Sequence, residues 1–88
     1  MSKSALTRFP KRGFPITASD TTKFGRPTSV YVGTGGTVAV VPWNPPAGVT
    51  SLVFKNVPNA FTIPILVEQV LSTGTVTAAD MIGIYEGT

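Results

Sequence analysis

Four carboxylates are the only acids available to this sequence, Asp20, Glu68, Asp80 and Glu86, and it has no histidine and no cysteine. General acid–base catalysis calls for a paired acid and base or an imidazole titrating near neutrality. The four acids are dispersed, and only a hairpin brings Asp80 to Glu68 or Glu86. After Ala78-Ala79 a turn or strand-start role accounts for Asp80. Serine and threonine are plentiful, yet the only base on offer is lysine, and Lys55 lies on a strand beside Asn56. A zinc site lacks its usual His and Cys ligands, and a disulfide is impossible. Gly33-Thr34-Gly35-Gly36 has the look of a phosphate loop, but no Gly-Lys-Ser/Thr follows, and it joins two strands rather than a strand and a helix. It reads as a hairpin-type turn. Ser19-Asp20-Thr21-Thr22 reads as an Asx- or ST-turn. The expectation is a protein without catalytic residues, cofactor or metal.

Binding chemistry is better represented. Lys3, Arg8, Lys11, Arg12, Lys23 and Arg26 against Asp20 give residues 1–27 a charge of +5, whereas residues 28–88 carry −2. Phe9, Phe14 and Phe24 are interleaved with these cations. Cations on phosphates with aromatics stacked on bases is one way to hold single-stranded nucleic acid. Here the aromatics sit on a segment broken by Pro10, Gly13, Pro15, Gly25 and Pro27, and the body behind it is slightly acidic. An extended basic arm that lies on a protein surface is the preferred reading, because Arg and Phe serve well at interfaces. Its contact residues are Arg8, Phe9, Lys11, Arg12, Phe14, Phe24 and Arg26. A nucleic-acid-binding small β-barrel is the alternative.

The elements that position these residues are strands. Threonine, thirteen, and valine, eleven, are the commonest residues, with nine glycines and eight prolines between them. Both β-branched types suit a pleated surface. Runs at Thr28–Val32, Thr37–Trp43, Val49–Asn56, Phe61–Leu71 and Met81–Tyr85 are separated by turn residues. This spacing predicts an all-β fold, a small antiparallel sandwich or barrel of five to six strands with an extended N-terminal arm. The arm is residues 1–27 and the body 28–88. Pro64 predicts an edge or a bulge in the fourth run. Phe61, Ile63, Ile65 and Val67 make a core face, yet the opposite face carries Leu66 and Val70, and the third run has Val49 and Val53 opposite Leu52 and Phe54. Two apolar faces mean a second layer or a subunit interface. With about 60% of its unfolded surface buried, a chain this short gains most from partners. A subunit interface at Leu66, Val70, Val49 and Val53 is therefore expected, with Trp43, Phe54 and Phe61 as core or interface anchors. No apolar run is long enough to cross a bilayer, and the N-terminus lacks the hydrophobic segment of a secretory signal. A soluble protein made in a cytoplasm is expected.

The pieces Ile16–Phe24, Ser29–Val40 with its Gly33-Thr34-Gly35-Gly36, Phe54–Pro58, Ile63–Thr75 and Ile82–Tyr85, in that order, resemble the small head-spike-base proteins of tailed bacteriophages and gene-transfer-agent capsids. The resemblance covers residues 15–88, with Met1–Phe14 as an added arm. Where such proteins often have arginines around Val67-Glu68, this chain has Leu66, Glu68 and Gln69. The resemblance implies a non-enzymatic virion structural protein on the capsid exterior, assembled in the host cytoplasm. It implies a homo-oligomer, a ring or trimer, that serves as a spike base, vertex or decoration (cement) subunit. The implied partners are further copies of itself, the major capsid protein and a fibre protein. Another head–tail or tail subunit is the neighbouring alternative.

Overall fold

The structure is a computed structural model, and it describes residues 11–86. Seven strands follow one another: β1 (Lys11–Pro15), β2 (Ser29–Thr34), β3 (Gly36–Pro42), β4 (Leu52–Val57), β5 (Phe61–Thr62), β6 (Val67–Val76) and β7 (Ala79–Glu86). They form two antiparallel sheets, in the orders β1-β7-β2-β5 and β4-β3-β6. The fold is a small all-β sandwich, with no helix among the described residues. The strand count exceeds the expected five to six, because the arm supplies one strand and the run at 61–71 divides in two.

Alternation builds the core. Val30 and Val32 from one sheet meet Val38 and Val40 from the other, all fully buried, and Ile63, Val67, Val70 and Met81 complete the layer. Each β-branched side chain gives up little rotamer freedom there, and burial contributes about 1.5–3 kcal/mol apiece. Two buried polar groups are satisfied. Thr28 donates its hydroxyl to the Arg26 carbonyl at 3.0 Å, and Gln69 Nε2 donates to the Ser19 carbonyl at 2.9 Å.

Several expectations are corrected. Residues 11–27 are not an arm beside a separate body. Lys11–Pro15 pairs with β7, Ile16 belongs to the core, and the next residues run along β6, where the Ser19 and Phe24 amides donate to the carbonyls of Val70 and Glu68. The boundary at residue 27 therefore falls inside the sandwich; residues 1–10 lie outside the described part. The glycine loop is not a hairpin, since β2 and β3 belong to different sheets. Gly35 lets the chain pass between them: a Cβ there would run into the Val57 carbonyl and sit 2.7 Å from the carbonyl carbon of Pro58. The run at 61–71 is interrupted by Pro64, so its first part pairs with β2 and its second with β3. The run expected to end at Leu71 continues as β6 to Val76, with an irregularity where the pairing jumps from Ala39↔Leu71 to Thr37↔Val76. The Thr75 hydroxyl accepts the Ala39 N–H at 3.1 Å, replacing the missing backbone partner.

The strand ends locate the surface of interest. Lys11 at the start of β1 faces Glu86 at the end of β7, Ser29 faces Ile84, and Val67 at the start of β6 bridges both Pro42 and Thr28. The starts of β1, β2, β4 and β6 and the ends of β3 and β7 thus share one end of the sandwich.

Candidate interaction surface

That end carries an apolar groove of about 450 Å³ lined by Pro42, Trp43, Pro46, Val49, Leu52, Ile65 and Leu66. Two irregular segments make it. The loop after β3, Trp43-Asn44-Pro45-Pro46-Ala47-Gly48, is forced out of any ladder by its prolines and turned by Asn44 and Gly48, both with positive φ. The Pro64–Leu66 crossing supplies the other wall, and the two are tied where the Trp43 N–H donates to the Leu66 carbonyl at 3.0 Å. Leu66 is 49% exposed and Trp43 39%, so the lining is apolar surface left in water. Leu66 also lines a smaller depression beside the groove, with Pro27, Ser29, Ile84, Tyr85 and Glu86.

Two cations near this end are held. Arg26 lies over the Tyr85 ring, 4.4 Å from its centroid, and Lys23 pairs with Glu68 at 3.3 Å. The cation–π contact fixes the Arg26 guanidinium and leaves the residue exposed. Arg12 stands opposite Tyr85 in the β1–β7 register and is exposed as well.

The expected partner-binding aromatics behave otherwise. Phe14 and Phe24 meet edge to face at 5.3 Å, and Phe14 reaches Tyr85 at 5.9 Å; both pack against the core. Both are partly buried and spend part of their surface on the protein's own core. Lys11 opens β1 opposite Glu86, while Arg8 and Phe9 lie outside the described residues.

Of the expected interface residues, the structure brings Val49 and Leu66 into one groove. Val53, 50% exposed, is opposite Ala39 on the outer face of the β4-β3-β6 sheet and not in the groove. Val70 is corrected: it is 1% exposed and part of the core. The pairing skips Glu68 between Pro42↔Val67 and Val41↔Gln69, and that extra residue moves Val70 to the inner face.

On chemistry, the described residues hold no group of three or more acids, histidines or cysteines placed for a metal ion. Asp20 is exposed and joins a strap rather than a site. Its Oδ1 accepts the Thr73 N–H at 2.9 Å and its Oδ2 the Thr73 hydroxyl at 2.6 Å. The Thr73 hydroxyl foremost, then its backbone N–H, holds the Asp20 carboxyl below its ordinary value. The expected turn is present beside it, with the Thr21 and Thr22 amides both donating to Ser19 Oγ at 3.2 Å. Asp80 Oδ2 accepts the Thr34 hydroxyl at 2.8 Å, a structural contact between β7 and β2.

No protein-family model matches the chain, and no curated protein does. A solved structure does. It is described as the capsid of a native GTA (gene-transfer-agent) particle computed with C5 symmetry, and one of its chains superposes with a TM-score of 0.65 at 28% sequence identity. The chain is capsid-like. The match covers 84% of this chain and 81% of that one, so the two are nearly equal in length and the capsid chain is itself a small subunit.

Leu52, Ile65, Pro42 and Pro46 are the groove residues that interface reasoning from the sequence did not assign, and Trp43 was expected only as a core or interface anchor. A tryptophan next to Asn-Pro-Pro was the available signal, since a large aromatic in a loop that cannot join a ladder has few buried places to go. Among the described residues no helix is long and apolar enough to cross a membrane.

Proposed function

We propose that this chain is a virion structural protein that acts by adhesion: a homo-oligomeric subunit on the capsid exterior, serving as a spike base or vertex subunit or as a decoration (cement) protein. The observation that carries the reading is the similarity to a capsid chain of matching length, 28% identical over most of both chains. The surface agrees with it. An apolar groove with Trp43 and Leu66 half exposed is the kind of patch that soluble chains cover with a partner. Exposed Arg12 and Arg26 near the same end, the latter pre-ordered on Tyr85, supply cations for an acidic face of a shell protein.

The role is tested on particles. Purified, labelled protein is added to capsids assembled without it, and occupancy is mapped by electron microscopy. Saturable binding at vertices supports a spike base, and binding over the whole shell supports a decoration protein. Label confined to tails, or no particle binding at micromolar concentration, refutes the capsid assignment.

A further inference from the structure

We propose that the groove of one copy receives the N-terminal segment Met1–Pro10 of a neighbouring copy, with Phe9 and Leu6 seated against Trp43, Leu52 and Leu66. The inference rests on the self-association in the reading above. It has three supports. The groove is apolar around its wall and open to solvent in the single chain, with no residue of the described chain closing it. The segment offers Leu6, Phe9 and Pro10 within five residues, apolar groups suited to such a wall. It leaves the sandwich at the right place: Lys11 stands opposite Glu86, which lines the depression that shares Leu66 with the groove.

Length permits exchange between copies, and the self-association of the reading above is what selects it. Ten extended residues reach about 33 Å, and the two shorter dimensions of the molecule are 30 and 19 Å. Copies related by rotation about an axis along the sandwich present this end in one direction, so exits and grooves lie at one level. Each contact is then heterologous, segment into groove around a closed ring, and each site is incomplete without its neighbour.

Complementation between two full-length variants tests this. Phe9→Asp spoils the segment and leaves the groove, whereas Leu66→Asp spoils the groove at a position half in water and leaves the segment. Each variant alone is expected to self-associate about tenfold more weakly, the loss of one buried aromatic or leucine side chain. Mixing them restores one intact contact, segment of Leu66→Asp into groove of Phe9→Asp, so heterodimer forms at concentrations about tenfold below those at which either variant pairs with itself. Trp43 is the sole tryptophan, so its emission reports occupancy directly: it shifts to the blue and resists acrylamide as wild-type concentration rises. Circular dichroism verifies that both variants fold. Three results overturn the inference. One is an oligomer in which Trp43 stays open and Phe9→Asp changes nothing, which leaves the capsid role standing. Another is concentration-independent protection that Phe9→Asp abolishes, which means the segment fills its own groove. The last is a monomer at all concentrations, and if that monomer still binds capsids only the exchange fails.

Discussion

Gly83 offers a clean perturbation of the way residues 11–27 are built into the sandwich. It faces Phe14 in the β1–β7 register, and the ring lies flat enough on it that an added Cβ would be 2.5 Å from Cζ and 2.7 Å from Cε1. Its φ is one an alanine adopts freely, so Gly83→Ala tests space alone. To regain a contact near 3.5 Å the ring must withdraw by about 1 Å. Withdrawal loosens the edge contact to Phe24 at 5.3 Å and the tilted contact to Tyr85 at 5.9 Å. Each such pair contributes about 0.5–1.5 kcal/mol, and overpacking costs about 1–3. Gly83→Ala is therefore expected to destabilise by about 1–3 kcal/mol, which for a domain of this size lowers Tm by roughly 4–8 °C per kcal/mol. The partner variant Phe14→Ala removes the obstacle, and on that background Gly83→Ala should be neutral or stabilising by about 0.5–1 kcal/mol, because glycine weakens a strand interior. Urea unfolding of the four proteins of this cycle, followed by circular dichroism, measures both values. If Gly83→Ala costs nothing on the wild-type background, or costs the same on both, Phe14 does not pack on Gly83 and the segment is an arm after all.

Three further perturbations probe the frame. Gly35→Ala places a methyl against the Val57 carbonyl and the Pro58 backbone, neither of which can swing aside; a loss of about 3 kcal/mol is expected, seen as lowered Tm and soluble yield. Gln69→Leu leaves the Ser19 carbonyl without its donor and should cost about 1 kcal/mol, with faster hydrogen exchange at the Ser19 amide. Asp20 has a folded-state pKa below its unfolded one, so its contribution is complete above about pH 4 and fades as pH falls through the depressed value. An NMR titration should show the Thr73 amide shifting in that acid range, and Asp20→Asn should abolish the shift; a Thr73 amide that titrates identically in the variant refutes the pairing.

How much of this was legible depends on which regularity carried it. β-branched runs between Gly and Pro clusters report strands directly, so the all-β class and most strand positions were open to reading. Alternation reports which residues share a face only while the count stays even. One extra residue at Glu68 moved Val70 from the expected outer face to the core, and nothing in Val67-Glu68-Gln69-Val70 marks a bulge. Strand pairing has no local signature either. Gly33–Gly36 satisfies a hairpin as well as it satisfies a crossing between sheets, and the choice is made by Val57 and Pro58, more than twenty residues away. Phe14 looked unattached because its partners, Gly83 and Tyr85, are about seventy residues distant in the chain. For the surface, Val49, Leu66 and Trp43 carried legible signals, but Ile65 and Leu52 join them only because two non-adjacent loops meet.

The correction at residues 11–27 also changes what a partner can hold. A flexible-arm reading places basic and aromatic contact groups on one detachable strip, whose removal costs binding and nothing else. In the structure the strip supplies β1, Ile16 to the core and Phe14 to the Gly83 face, and its Asp20 straps β6 through Thr73. Its basic residues Arg12 and Arg26 are consequently carried at fixed positions on a rigid sandwich, the latter against Tyr85. Rigid placement lowers the ordering cost of association, and it divides the basic segment into two parts with different duties. Residues 11–27 complete the fold and hold the Arg26 cation still, whereas the exchange proposed above concerns Met1–Pro10 alone. The small core that seemed in need of a partner is closed by the chain's own first strand. The surface that still wants covering is the apolar groove at the end where that strand begins.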